Sequence, residues 1–304
     1  MSLFKEDKTV KNKITQLTMG FLMLVFITSV QAGHYGKYKD NEQIVTSYQF
    51  DSISPDNTLY IHNINGFVEI GGYDGTDIKV EIDKTISANS KEKLTLGKHE
   101  AWFKVVNLGE QIHMFMKTPY SYLETEGEVV SFHERNNHQR YEYKLDYKVK
   151  VPRNTNLQIL AVNDGNISIN DIQSKLIYAK NINGEIELKN VSAEMKIMTV
   201  NGDIGLSYLN ENIKNGHFKS INGSFTVQFV EQPDIEVTFK TQNGNFYSSY
   251  DPTHVSSYIQ KEIKKNEHGI KYKIKPRKRV RFGSGIHKFD FKTINGDINI
   301  INKA

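Results

Sequence analysis

The stretch NINGEIELKNVSAEMKIMTVNGDIGL, residues 181–206, writes Asn-Gly-acid-Ile twice, eighteen residues apart. Related octads recur at NINGFVEI (63–70), SINGSFTV (220–227), TQNGNFYS (241–248) and TINGDINI (293–300), and VNDGNISI (162–169) carries Asp164 ahead of its glycine. Gly165, Gly184, Gly202, Gly223 and Gly244 are separated by 19, 18, 21 and 21 residues. A near-constant period of about 20 residues is the mark of stacked structural units.

Each unit has room for two strands and none for a helix. After the glycine, apolar residues alternate: Ile186 and Leu188, Ile204 and Leu206, Phe225 and Val227. Before it the same alternation appears at Met195 and Ile197, Val237 and Phe239, Phe289 and Phe291. Period-two writing predicts strands with one buried face. Two architectures fit. Asn-Gly is the strongest short hairpin signal, which allows an antiparallel β meander with Lys180 opposite Glu187. The favoured alternative is an all-β, single-stranded parallel β-helix or solenoid of about 20 residues per coil. Only a solenoid needs the same residues at every corner, because identical corners stack about 4.8 Å apart. Stacked Asn amides can then bond along the column, and Gly supplies a turn that a Cβ would penalise. Asn65, Gly66, Gly165, Asn183, Gly184, Asn201, Gly202, Asn222, Gly223, Asn243, Gly244, Asn295 and Gly296 are therefore expected to be structural corners.

Three blocks resemble the bacterial "putative adhesin" β-helix family. They are NINGFVEIGGYDGTDIKVEIDKTI (63–86), YKLDYKVKVPRNTNLQILAVNDGNISI (143–169) and FGSGIHKFDFKTINGDINI (282–300), the last similar to the family's final coil. The resemblance covers most of residues 60–304. It implies an exported β-solenoid, adhesin-like, and brings no catalytic residues and no cofactor. The chain departs from the family pattern between residues 249 and 282, a longer and more basic insertion.

The N-terminus reads as an export signal. Lys5, Lys8, Lys11 and Lys13 precede the uncharged apolar run MGFLMLVFITSV (19–30), and small residues at Val30 and Ala32 offer cleavage before Gly33. The run is short of the roughly 20 residues of a membrane span. Residues 1–32 are thus expected to be a signal peptide, 33–62 a lead-in, and 63–304 the solenoid domain. The mature chain, with 35 basic and 33 acidic residues, is expected in the periplasm, at the cell surface or outside the cell. No later segment is apolar enough to span a bilayer as a helix. A net charge of +4 on 304 residues gives no reason to expect a nucleic-acid partner. Without cysteine there is no disulfide and no thiolate site.

Outside the repeats, 77–86, 101–107, 110–118 and 141–151 read as amphipathic strands forming an N-terminal β cap, which an open solenoid end requires. Residues 87–97 read as a loop or short helix, and 120–140 as a polar excursion, either solvated or a binding loop, with the solvated reading favoured. Chemistry is sparse. Glu185, Glu187 and Asp203 form an acidic cluster on neighbouring coils, the type of group that binds a hard cation or flanks a scissile bond, with Lys180 or Lys189 as a candidate base. His133, Glu134 and His138 do not match metal-ligand spacing. No metal or cofactor is expected. In IKYKIKPRKRVRF (270–282), Lys271, Lys273, Lys275, Arg277, Arg279 and Arg281 fall on alternate positions. One strand face would then be cationic, either to protect a sheet edge or to bind an anionic polymer. The leading expectation is a non-enzymatic envelope protein that binds a glycan or other envelope component. The alternative is a polysaccharide lyase or hydrolase on the same scaffold. A groove where the acids and a lysine converge would favour the enzyme, and a flat face the binder.

Overall fold

The structure is a computed structural model of the chain and describes residues 36–126, 129–134, 141–163, 165–209, 212–266 and 269–303. The expected signal segment 1–32 lies outside the described residues, as does His138.

The fold is all-β and solenoid-like, with two large mixed sheets of ten and eleven strands. Each repeat sends one strand to the eleven-stranded sheet, turns at its Asn-Gly corner, and sends the next to the ten-stranded sheet. The coils are Thr58–Asn65 with Val68–Tyr73, Asn156–Asn163 with Ile167–Asn170, Gln173–Lys180 with Ile186–Lys189, and Ser192–Met198 with Ile204–Ser207. Gly216–Lys219 with Phe225–Phe229, Ile235–Lys240 with Phe246–Ser248, and His287–Lys292 with Ile298–Asn302 complete the stack. Corresponding strands of stacked coils pair in parallel and in register, as Ile167, Ile186, Ile204, Phe225 and Ile298 do. The antiparallel meander is therefore corrected: Asn-Gly joins strands of different sheets instead of adjacent partners in one.

Parallel pairing between coils holds in the middle of the stack, and antiparallel strands flank it at both ends. At the N-terminal end, Tyr38–Tyr48 and Ile78–Ala88 extend the ten-stranded sheet antiparallel to one another, followed by Glu142–Pro152. Trp102–Asn107 and Gln111–Lys117 extend the other sheet as an antiparallel pair. The expected cap strands thus divide between the two sheets. A short helix, Lys91–Glu100, starts at Ser90, whose hydroxyl accepts from the Lys93 N–H. The excursion read as solvated contains an antiparallel hairpin, Ser121–Glu126 with Val129–Glu134.

The coil written last in the chain is not last in space. His287–Lys292 lies between Gly216–Lys219 and Ile235–Lys240, and Ile298–Asn302 between Phe225–Phe229 and Phe246–Ser248. The basic strand Gly269–Arg281 pairs antiparallel with Ile235–Lys240 through Lys278–Arg281, and along its whole length with His254–Asn266. The edge of that sheet is therefore His254–Asn266, and edge protection does not account for Arg279 or Arg281.

Alternation puts one residue in two inside. Ile159, Ile177, Ile197, Ile169, Leu188 and Ile204 are fully buried between the sheets. Toward the C-terminal end Phe289, Phe291 and Phe225 replace the aliphatic residues, with Phe218 and Phe291 stacked at 4.8 Å. At about 25 cal/mol per Å² of apolar surface removed from water, this continuous seam is the main stabilising term.

Candidate functional site

Three hydrogen-bonded columns run through the corners and fix what the outer faces display. The first is the Asn amide ladder: Asn183 donates to Asn163 Oδ1 (2.9 Å), Asn201 to Asn183 (2.9 Å), Asn222 to Asn201 (2.8 Å), Asn295 to Asn222 and Asn243 to Asn295 (both 2.7 Å). Asn163 holds the ladder position of the variant repeat, where the sequence reading had marked only Gly165. It pairs with Asn65, so its coil is one residue longer at the corner. The glycines are required mainly by close approach. A Cβ on Gly202 (φ +155°) would fall on the Gly184 carbonyl, and one on Gly223 on the Gly202 carbonyl.

The second column was missed. Three residues before every corner glycine except Gly165, which has Val162 there, stands a small polar residue, and in several coils its side chain donates to the corner carbonyl of the neighbouring coil. Thr199 donates to Gly184 O (3.1 Å), Thr241 to Gly296 O (3.0 Å), Thr293 to Gly223 O (3.2 Å) and Asn181 to Gly165 O (3.0 Å). The signal was present, since every quoted octad but VNDGNISI begins with Asn, Thr or Ser. The third column follows the glycine. Asn166 accepts from the Glu185 N–H (2.9 Å), Asp203 from the Ser224 N–H (2.8 Å), and Asp297 from the Asn245 N–H (2.7 Å).

On the outer face of the ten-stranded sheet, Glu185, Glu187, Asp203 and Lys189 border one open depression of about 260 Å³. Gly205 makes its floor, because a Cβ there would meet only Glu187 Cγ at 3.9 Å. Lys189 Nζ pairs with Glu187 Oε2 at 3.0 Å, with both side chains at least half exposed. The structure therefore brings the three acids and one of the two candidate bases together. Lys180 lies on the other sheet. Among the described residues, no group of three or more His, Asp or Glu is placed to hold a metal ion.

The cationic face of Gly269–Arg281 divides in two. Arg279 and Arg281 both reach Glu236, Arg281 through Nη2 at 2.7 Å and Arg279 through Nε at 3.4 Å. The side chains of Lys271, Lys273, Lys275 and Arg277 lie outside the described residues, as do those of His133 and Glu134.

A further cluster was not anticipated. His62 and His113 stack with their rings 5° from parallel, Tyr60 stacks on His113 at 4.1 Å, and Phe132 of the hairpin covers His62 at 4.7 Å. Burial pushes His113 down to about 4, and burial with the neighbouring His113 pushes His62 down to about 3.

The corners, the two mixed sheets and the unshielded acidic depression define an all-β, solenoid-like protein whose repeated polar residues hold backbone. The chain belongs to the Toastrack DUF4097 family, whose family model matches residues 74–301. This agrees with the resemblance carried by the opening repeat, the Val-Pro-Arg strand and the closing coil. Two solved structures are similar. One is described as a "putative cell adhesion protein" from Clostridium sporogenes, 12% identical, with a TM-score of 0.41 over 86% of this chain and 100% of that one. The other is described as a "putative adhesin" from Bacteroides fragilis, 10% identical, with a TM-score of 0.39 over 86% of this chain and 97% of that one. No curated protein matches the chain.

Proposed function

We propose that the chain is an exported, non-enzymatic, adhesin-like parallel β-solenoid that binds or scaffolds at the bacterial cell envelope. The observation that carries the reading is the state of the acids around the depression. Asp203 is tied to the Ser224 N–H, and Glu187 is ion-paired with Lys189 on an open surface. Acid–base catalysis draws its strength from groups held in a water-excluded site, and this depression opens to solvent. Export is supported by the charged leader and the apolar run at 19–30. N-terminal sequencing of the protein from an envelope fraction should begin near Gly33, whereas recovery of intact Met1 in a membrane pellet would argue for an anchor.

One observation favours a second reading, a polysaccharide lyase or hydrolase: three acids and Lys189 do converge at one depression. A panel of envelope polysaccharides incubated with the chain, assayed for new reducing ends and unsaturated products, separates the two. The binding reading expects no product and unchanged adhesion in the Glu185→Gln, Asp203→Asn double variant. Cleavage by wild type that the double variant loses would establish the enzyme instead.

A further inference from the structure

The parallel register lines up residues that lie far apart in the chain. On the outer face of the eleven-stranded sheet, Lys180 stands beside Met198, Met198 beside Lys219, Lys219 beside Lys292, and Lys292 beside Lys240. Four lysines thus occupy a five-position line across five strands, each step about 4.8 Å. The adjacent line contributes Lys196 and Arg279. The carboxylates in these strands are already occupied: Asp290 bonds Lys292 (2.6 Å) and Thr238 (2.9 Å), and Glu236 holds Arg279 and Arg281. Glu194 accepts from the Asn215 amide at 3.0 Å.

Edge protection does not account for the row. Lys219 and Lys292 sit on interior strands, where there is no edge to protect. Like charges directly opposite one another destabilise a sheet. Lys219, Lys292 and Lys240 are three such neighbours in succession. The same register line on the ten-stranded sheet shows no such row: it reads Glu69, Ser168, Glu187, Gly205, Thr226 and Asn299.

We propose that the line through Lys180, Lys219, Lys292 and Lys240 is a docking track for a linear acidic polysaccharide, lying across the strands. The proposal rests on the binding reading above and names its site and ligand class. A polyanion would relieve the mutual repulsion of the lysines and release counterions. Lys219, Lys292 and Lys240 are one strand apart and Lys180 is two strands from Lys219, spacings comparable to one and two pyranose units, so an extended acidic glycan can meet the track repeatedly. A nucleic-acid duplex winds its phosphates away from a flat face after a few contacts. Lys196 lies over the Tyr178 ring at 5.5 Å, which puts an aromatic surface beside the track for a sugar face.

The test uses the purified chain with heparin and polygalacturonate as acidic glycans, dextran as the neutral glycan, single-stranded DNA, and vesicles containing anionic lipid. Retention on both acidic glycans at low salt, none on dextran, and a steep fall with rising salt are expected. Lys219→Gln, Lys292→Gln, Lys240→Gln together should weaken binding at least tenfold with an unchanged circular dichroism spectrum. Lys148→Gln on the other sheet should change it less than twofold. Should the triple variant fail to fold, Lys219→Gln and Lys240→Gln tested singly should each weaken binding several-fold. Wild type that passes through both acidic columns, or variants that bind like wild type, would overturn the track. Stronger binding to DNA or to anionic vesicles than to either glycan would overturn the ligand class. Cleavage of a bound glycan would sink the non-catalytic reading and leave the track standing.

Discussion

At most corners a coil meets its neighbour through the same three contacts: Asn to Asn, a small polar side chain to a glycine carbonyl, and a backbone pressed against a Cα with no room for a Cβ. On the outer face of those same strands, one register line reads Tyr60, Gln158, Tyr178, Lys196, His217 and Asp290. The corner repeats because stacking imposes one backbone geometry on each coil. The outer face drifts because water accepts any polar side chain. In a repeat protein the conserved pattern along the chain therefore reports how it stands, and departures from drift, such as a row of lysines, report what it touches.

The comparison breaks most plainly at a glycine. Gly202→Val would drive a branched Cβ into the Gly184 carbonyl, from a backbone at φ +155° that L-residues avoid. We expect a loss of about 2–4 kcal/mol from overpacking and backbone strain combined, read from the urea midpoint. A midpoint within error of wild type would mean that the corners do not set the stack.

The next effect separates the buried column from the exposed one. Asn181 is fully buried and donates to Gly165 O, while Asn201 is exposed. Asn181→Ala should cost about 1–3 kcal/mol by leaving a buried carbonyl short of a partner. Asn201→Ala should cost about 1 kcal/mol or less. Asn181→Thr, which installs the residue used at Thr199, Thr241 and Thr293, should recover most of the difference. Equal losses for Asn181→Ala and Asn201→Ala would show that burial does not rank the two columns.

A pH-dependent loss is expected where the outer face is itself covered. His62 and His113 are held neutral beneath Phe132, with folded values of about 3 and about 4 against an ordinary 6.5. Above pH 6.5 both states are unprotonated and the cluster contributes fully. Below it the unfolded chain takes up protons that the folded chain refuses, so stability falls toward pH 4. Melting temperatures across that window should decline less in the His62→Phe, His113→Phe variant. Parallel curves would exclude the pair as the source.

Much of this architecture was legible at the level of single repeats. Alternation in 186–188 and 204–206 gave the strands, and the fixed Asn-Gly interval favoured stacking over a meander. The order of the last two coils was not legible. Corners built from the same residues can stack on any other such corner, so nothing local tells coil 287–302 to enter between coils 216–229 and 235–248. The small polar residue at Thr199 or Asn181 looked like ordinary strand-end polarity, because its partner is a carbonyl 15 or 16 residues away. The lysine line was hidden for a related reason: its members come from different coils, and only the register brings them side by side. The acids at 185, 187 and 203 were legible as a cluster, but the backbone N–H that Asp203 holds was not.

That last contact gives the smallest predicted effect and the closest test of where corner ends and face begins. Asp203 sits at the first position after its glycine, where other coils place Asn166, Ser224, Asn245 and Asp297. Its Oδ1 accepts from the Ser224 N–H, and Asn166 and Asp297 accept from Glu185 and Asn245 in the same way. If Asp203 belongs to the corner, Asp203→Asn keeps an acceptor oxygen in place and should shift stability by less than about 0.5 kcal/mol, as surface substitutions do. Asp203→Ala removes the acceptor and should cost about 1 kcal/mol. The pair of urea midpoints distinguishes a bond from a charge. An Asn variant as unstable as the Ala variant would mean that the carboxylate's charge matters at this position, and would return Asp203 to the depression as a group held there for its chemistry.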